Sequence, residues 1–192
     1  MVSNILKVGD VIGFSGAYFG SDMINLLTYG VPRWCLSHVG VIGRKASGEL
    51  VMFESNQNTG TSCVITGCEV DGVQAHTLPA MLDTYKGRVW RYPLYRSLYP
   101  HESVRLSKVL RKRIGTPYDW DGAKEAAGLF YSVTQAVIRN QDITSLFCSE
   151  LVAFALSEIG IFHTSNVSRW SPNKLVRNMR RDGLLDNPVR LK

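Results

Sequence analysis

FCSELVAFALSEIG, residues 147–160, is the stretch on which the fold turns. Leu151, Val152, Ala155 and Ile159 recur on one face at helical spacing, Ser145 just upstream is a candidate N-cap, and Gly160 supplies a stop. The pattern predicts a helix with Cys148 in its first turn. Backbone N–H groups there lack intrahelical partners and the helix dipole favours negative charge, so an attacking sulfur belongs at such a position. Upstream, residues 102–114 predict a helix stopped by Gly115, then TPYDWDG (116–122) and a weakly charged helical stretch from Ala123 to about Arg139. Downstream, Ser171-Pro172 opens a last, basic helix that ends at Gly183. The first half has a different period. VGDVIGF (8–14), LSHVGVIG (36–43), ELVMFES (49–55) and GRVWRYPLY (87–95) read as strands, with a turn at RKAS (44–47). Strands followed by helices make the fold class α+β.

Composition sets the frame for these elements. A chain of 192 residues, 45% hydrophobic and 20% charged, fits a single folded domain over 1–192 and excludes disorder, collagen and coiled coil. Within that domain we expect an inserted helix around 123–140 and a basic C-terminal helix. No apolar run is long enough to span a membrane and the N-terminus lacks a secretory signal, so the expected location is cytoplasmic. Four sparse cysteines (Cys35, Cys63, Cys68, Cys148) then read as thiols. There are 22 Lys and Arg against 16 Asp and Glu, net +6, and the last 29 residues hold 7 of the former against 2 of the latter. This basic C-terminal region suits an anionic polymer or a membrane surface, with no feature of specific nucleic-acid recognition.

A thiol needs a base. His38 lies in a strand, where side chains alternate, so Leu36, His38 and Gly40 share one face. In the next strand Leu50, Met52 and Glu54 share one. A hairpin centred on Ala46 places His38 directly opposite Glu54, close enough for the carboxylate to fix one imidazole nitrogen and leave the other for a thiol. A slip of two residues keeps them diagonal neighbours, whereas a slip of one separates them. Cys148, His38 and Glu54 then form a nucleophile, a base and its orienting acid. Asn56 or Gln57 is the substitute for Glu54 if the strand slips. His76, His101 and His163 read as surface or capping residues.

The strings IGTPYDWDG (114–122) and FCSELVAFALSEIG resemble the G-x-P-Y-x-W-G-G and D-C-S-G-L-V segments of NlpC-type papain-fold cysteine peptidases and amidases. VGDVIGF, SHVGVIG and FES resemble later segments of that family, yet here they come first. The swapped order resembles the circularly permuted branch of the superfamily. The resemblance implies a papain-like fold, with the Cys-bearing helix packed on an antiparallel sheet that bears the His. It implies Cys148 as nucleophile, His38 as general base, Glu54 as the orienting residue and Tyr118 lining the substrate site. The implied reaction is hydrolysis of an amide or ester, on a peptide or acyl-amide substrate, through an acyl-enzyme on Cys148 and with no cofactor. The chain departs from the pattern at Phe147, Glu150 and Asp121, and 27 positions separate Trp120 from the nucleophile.

Two other readings come from different classes. One is a non-catalytic groove-binding module for an anionic polymer or lipid surface. The other is a zinc site built from Cys35, His38, Cys63 and Cys68, whose ligand types suit the metal but whose spacing lacks a compact knuckle. GFSGAYFG (13–20) lacks the pattern of a nucleotide loop, and the segment after it predicts a short amphipathic helix from about Ser21 to Tyr29.

Overall fold

The computed structural model describes residues 6–15, 36–57, 60–118, 146–167 and 170–192. The stretches predicted as an amphipathic helix (21–29) and an inserted helix (123–140), together with Cys35, Trp120 and Ser145, lie outside them. The described residues form an α+β structure. Strands β1 (Val11–Ser15), β2 (His38–Arg44), β3 (Leu50–Asn56), β4 (Gly72–His76), β5 (Arg88–Tyr92) and β6 (Val189–Arg190) form one sheet in the order β4-β3-β2-β1-β5-β6. Every neighbouring pair is antiparallel. The helices are α1 (Leu78–Thr84), α2 (Pro100–Arg113), α3 (Cys148–Glu158) and α4 (Pro172–Arg181).

Alternation along the strands separates two cores. Val11, Val39, Val41, Val51, Phe53 and Val73 face a large cluster with Leu106 and Leu110 of α2, Leu151 and Val152 of α3, and Leu175 and Met179 of α4. Ile12, Phe14, Ile42, Met52 and Val89 point the other way and pack with Leu78 of α1. Coverage on both faces explains why β1 to β3 read as nearly continuous apolar runs. Helix α3 is buried from Cys148 through Leu156, as expected for a helix apolar all round. Each large aliphatic side chain there contributes about 1.5–3 kcal/mol by leaving water.

The predicted elements that fall on the described residues appear with local corrections. Helix α2 starts at Pro100, two residues early, because Glu102 reaches back to accept the Tyr99 N–H at 2.8 Å. The N-cap of α3 is Phe147 and not Ser145, and Glu150 accepts the Phe147 N–H at 2.7 Å. The β2–β3 hairpin is centred on Ser47, not Ala46. Lys45 N–H bonds Glu49 O at 2.9 Å, and Gly48, at φ +91°, closes a three-residue loop that RKAS alone did not reveal. The observed pairs run from Arg44↔Leu50 to Val41↔Phe53, so the register is shifted by two residues. An even shift leaves every side chain on its expected face. Strand β4, helix α1 and the two-residue β6 have no counterpart among the predicted elements; GVQAH is short and alternates apolar with polar residues, a pattern that shows a strand but not that every one of its residues is buried.

Candidate active site

Three adjacent strands bring the site's acid and bases together. Continuing the β2–β3 register places Glu54 diagonal to His38 instead of opposite it, and His38 Nε2 lies 2.5 Å from Glu54 Oε2. On the other side, β4 pairs Met52 with His76 and Glu54 with Gln74. His76 is thereby the second diagonal neighbour, its Nδ1 2.8 Å from Glu54 Oε1. Each carboxylate oxygen holds a different imidazole, and the carboxylate itself has no exposure to solvent. Phe14, paired with His38 across β1, packs its ring 5.5 Å from the imidazole.

The electrostatics follow from that geometry. Burial opposes ionisation of Glu54, but hydrogen bonds and charge from His38 and His76 outweigh it and bring its pKa down to about 2. Burial likewise disfavours the His38 imidazolium, yet the sulfur of Cys148 and the Glu54 carboxylate together raise it to about 10. His76 is also raised: burial works against its charge, while Glu54, the Thr61 backbone and Cys63 favour it.

Cys148 is the first residue of α3 and is buried. Ser55, next to Glu54 but on the opposite sheet face, donates from Oγ to the Leu146 carbonyl at 2.5 Å. Leu146 N–H in turn bonds Pro117 O at 2.9 Å, and Ser149 Oγ donates to Trp170 O. Consecutive β3 residues thus serve both halves of the site, one holding the imidazole and the other the approach to the thiol. His38 meets Cys148 as both hydrogen-bond partner and charge. With Nε2 committed to Glu54, Nδ1 is the nitrogen left for the sulfur. Glu150, a departure from the resembling motif, serves as the cap of α3. Tyr118 sets its ring edge-on to Phe147, the residue before Cys148, at 5.9 Å between centroids.

The structure therefore joins Cys148, His38 and Glu54, and it adds His76, which the sequence reads as a surface or capping residue. His76 is only 3% exposed. Its signal was the period of two in Gln74-Ala75-His76, polar residues sharing the face of Glu54. His101 and His163 are exposed, as expected. Of the proposed zinc quartet, Cys35 lies outside the described residues and the other three have other partners: His38 turns to Glu54 and Cys148, Cys63 accepts the Ala75 N–H at 3.3 Å, and Cys68 lies 3.4 Å from Thr66 Oγ1. No group of three or more His, Cys, Asp or Glu among these residues is arranged to share a metal ion.

No protein-family model matches the chain, and no curated protein matches it. Among solved structures it is similar to the crystal structure of metalloprotein yiiX from Escherichia coli O157:H7, DUF1105. That similarity covers 95% of this chain and 87% of that one, with a TM-score of 0.55 and 16% identity. The two share a fold. No helix among the described residues is long and apolar enough to cross a membrane.

Proposed function

We propose that the protein is a thiol hydrolase that cleaves an amide or ester bond through an acyl-enzyme on Cys148. The observation that carries this reading is the line Cys148–His38–Glu54, in which a thiol at a helix start meets an imidazole whose far nitrogen is held by a buried carboxylate. His38 takes the thiol proton through Nδ1. The sulfur then forms a bond to the substrate carbonyl carbon, and the oxyanion is held in part by backbone N–H at the first turn of α3. One such donor is worth about 2.7–4 kcal/mol in a well-characterised enzyme. The imidazolium returns its proton to the departing amine or alcohol as the acyl–nitrogen or acyl–oxygen bond breaks. Water, deprotonated by the same imidazole, then releases the acid. Glu54 keeps the imidazole in the correct tautomer and stabilises its charge.

The papain-like arrangement in permuted order belongs to the same proposal. It is supported by β2, with His38, preceding α3, with Cys148, in the chain while the two meet in space. Tyr118, seated against Phe147, is the proposed substrate-lining residue. An electrophilic acyl probe tests the reading. Labelling should map to Cys148 by peptide mass and be lost in Cys148→Ala and greatly slowed in His38→Ala. A label that persists in Cys148→Ala, or that spreads equally to Cys63 and Cys68, rejects it.

A further inference from the structure

We propose that His76 is a positioning residue that locks the Glu54 carboxylate between two imidazoles and so sets how strongly His38 holds its proton. The proposal rests on the reading of Cys148 and His38 as the reacting pair. Glu54 has two oxygens and no solvent, so its orientation is decided by what each oxygen accepts. Oε2 meets His38 Nε2 and Oε1 meets His76 Nδ1. Without the second contact, rotation about the last side-chain torsion is unopposed, because a terminal carboxylate torsion is broad. The His38 contact then becomes one of several the carboxylate samples.

His76 is well suited to that task because its bond to Glu54 survives its own titration. Either the imidazolium or the Nδ1–H tautomer donates to Oε1. What changes with pH is the charge. The contact that fixes the carboxylate's orientation is present in both forms, so the positioning does not depend on that charge. The groups that bear on His76 are Glu54 from β3 and Cys63 and the Thr61 backbone from the loop before β4; those that bear on His38 are Glu54 and Cys148 from α3. The fold supports the contact from behind. Cys63 is fully buried and accepts the N–H of Ala75, the residue before His76, so β4 is pinned at the point where the imidazole leaves it.

The test follows His38 itself. The full chain is labelled with [13Cε1]-histidine and its four imidazoles are titrated by NMR, each assigned by single substitution. Three variants separate donor position from bulk. An asparagine amide nitrogen occupies the place of an imidazole Nδ1, a glutamine amide reaches toward Nε2, and leucine donates nothing. His76→Asn should keep the His38 midpoint close to wild type. His76→Gln and His76→Leu should lower it by about one unit or more, the scale of a charge partner lost from hydrogen-bond range. If the leucine variant does not fold, the Asn and Gln pair still decides. An unchanged His38 midpoint in both, or equal depression in both, overturns the proposal. The titration needs no substrate, so a failed acyl-probe experiment rejects the hydrolase reading while leaving this result standing. A labelled Cys148 with a His38 midpoint indifferent to His76 rejects the positioning role alone.

Discussion

Glu54 has its pKa brought from 4.5 to about 2 and His38 from 6.5 to about 10, so each ties stability to pH with opposite sign. A depressed carboxylate contributes stability that is present above pH 4.5 and lost as pH falls through about 2. A raised histidine contributes stability that is complete below 6.5 and lost as pH rises through about 10. His76 acts with His38, whereas Asp10, raised by burial despite its contact with Arg91, acts against Glu54. The melting temperature should therefore plateau between pH 4.5 and 6.5 and decline on both sides. Glu54→Gln should lower the plateau and flatten the acid limb, because it removes the group whose protonation that limb reports. Calorimetry across the range, on wild type and variant, checks this; an acid limb unchanged in Glu54→Gln removes Glu54 as its source. In the acyl-probe assay the same variant should slow labelling substantially and Glu54→Ala more, with Asn56→Ala close to wild type.

Among the elements, the hairpin and the start of α3 carry the site. A two-residue slip of the β2–β3 register back to a hairpin centred on Ala46 would bring Glu54 directly opposite His38, whereas an odd slip would move the strand's side chains to the other face. Helix α3 has no such tolerance, because its position is set by hydrogen bonds outside itself. Ser55→Ala removes the donor to the buried Leu146 carbonyl, and leaving that group unsatisfied should cost about 1–3 kcal/mol. Urea unfolding measures the loss, and slower acyl labelling of Cys148 in the still-folded variant should accompany it. Gly72 marks another tight contact, where β4 meets the segment leading toward Tyr118. At φ +122° a Cβ there would lie 2.1 Å from the Thr116 carbonyl oxygen, whereas one on Gly48 would meet nothing. Gly72→Ala should therefore destabilise far more than Gly48→Ala, for which the backbone conformation is the whole penalty, of order 1 kcal/mol. Similar unfolding midpoints for the two variants would refute that comparison.

At the scale of the described residues together, one sheet is covered on both faces, and charge gathers on the outer faces of the helices that cover it. Lys174, Arg177, Arg180 and Arg181 are exposed on α4, and Arg105, Lys108 and Lys112 on α2. We propose a membrane surface as an anionic partner, a reading that this distribution of charge supports. The protein should co-sediment with phosphatidylserine vesicles and not with phosphatidylcholine vesicles. Binding should weaken as salt rises toward 0.15 M, where the screening length falls to about 8 Å. Lys174→Glu with Arg177→Glu should abolish the difference between the two vesicles; its persistence would exclude these two residues as the contact.

What the sequence determined by itself was periodicity and chemistry. Helical spacing in 147–160 placed Cys148 at a helix start, and alternation put His38 and Glu54 on matching strand faces, because both signals depend only on neighbours along the chain. The stops at Gly115, Gly160 and Gly183 were legible for the same reason. The tertiary structure decided the hairpin register, which depends on how a three-residue loop closes at Gly48. It also decided the fate of Ser55, whose partner lies 91 residues away. His76 shows the division most clearly. A histidine in a short polar strand carries no local mark of burial, and it became part of the site only because β4 pairs with β3 and sets it diagonally against Glu54. A carboxylate buried between two strands must satisfy both of its oxygens, and which side chains do so is fixed by the pairing of the sheet.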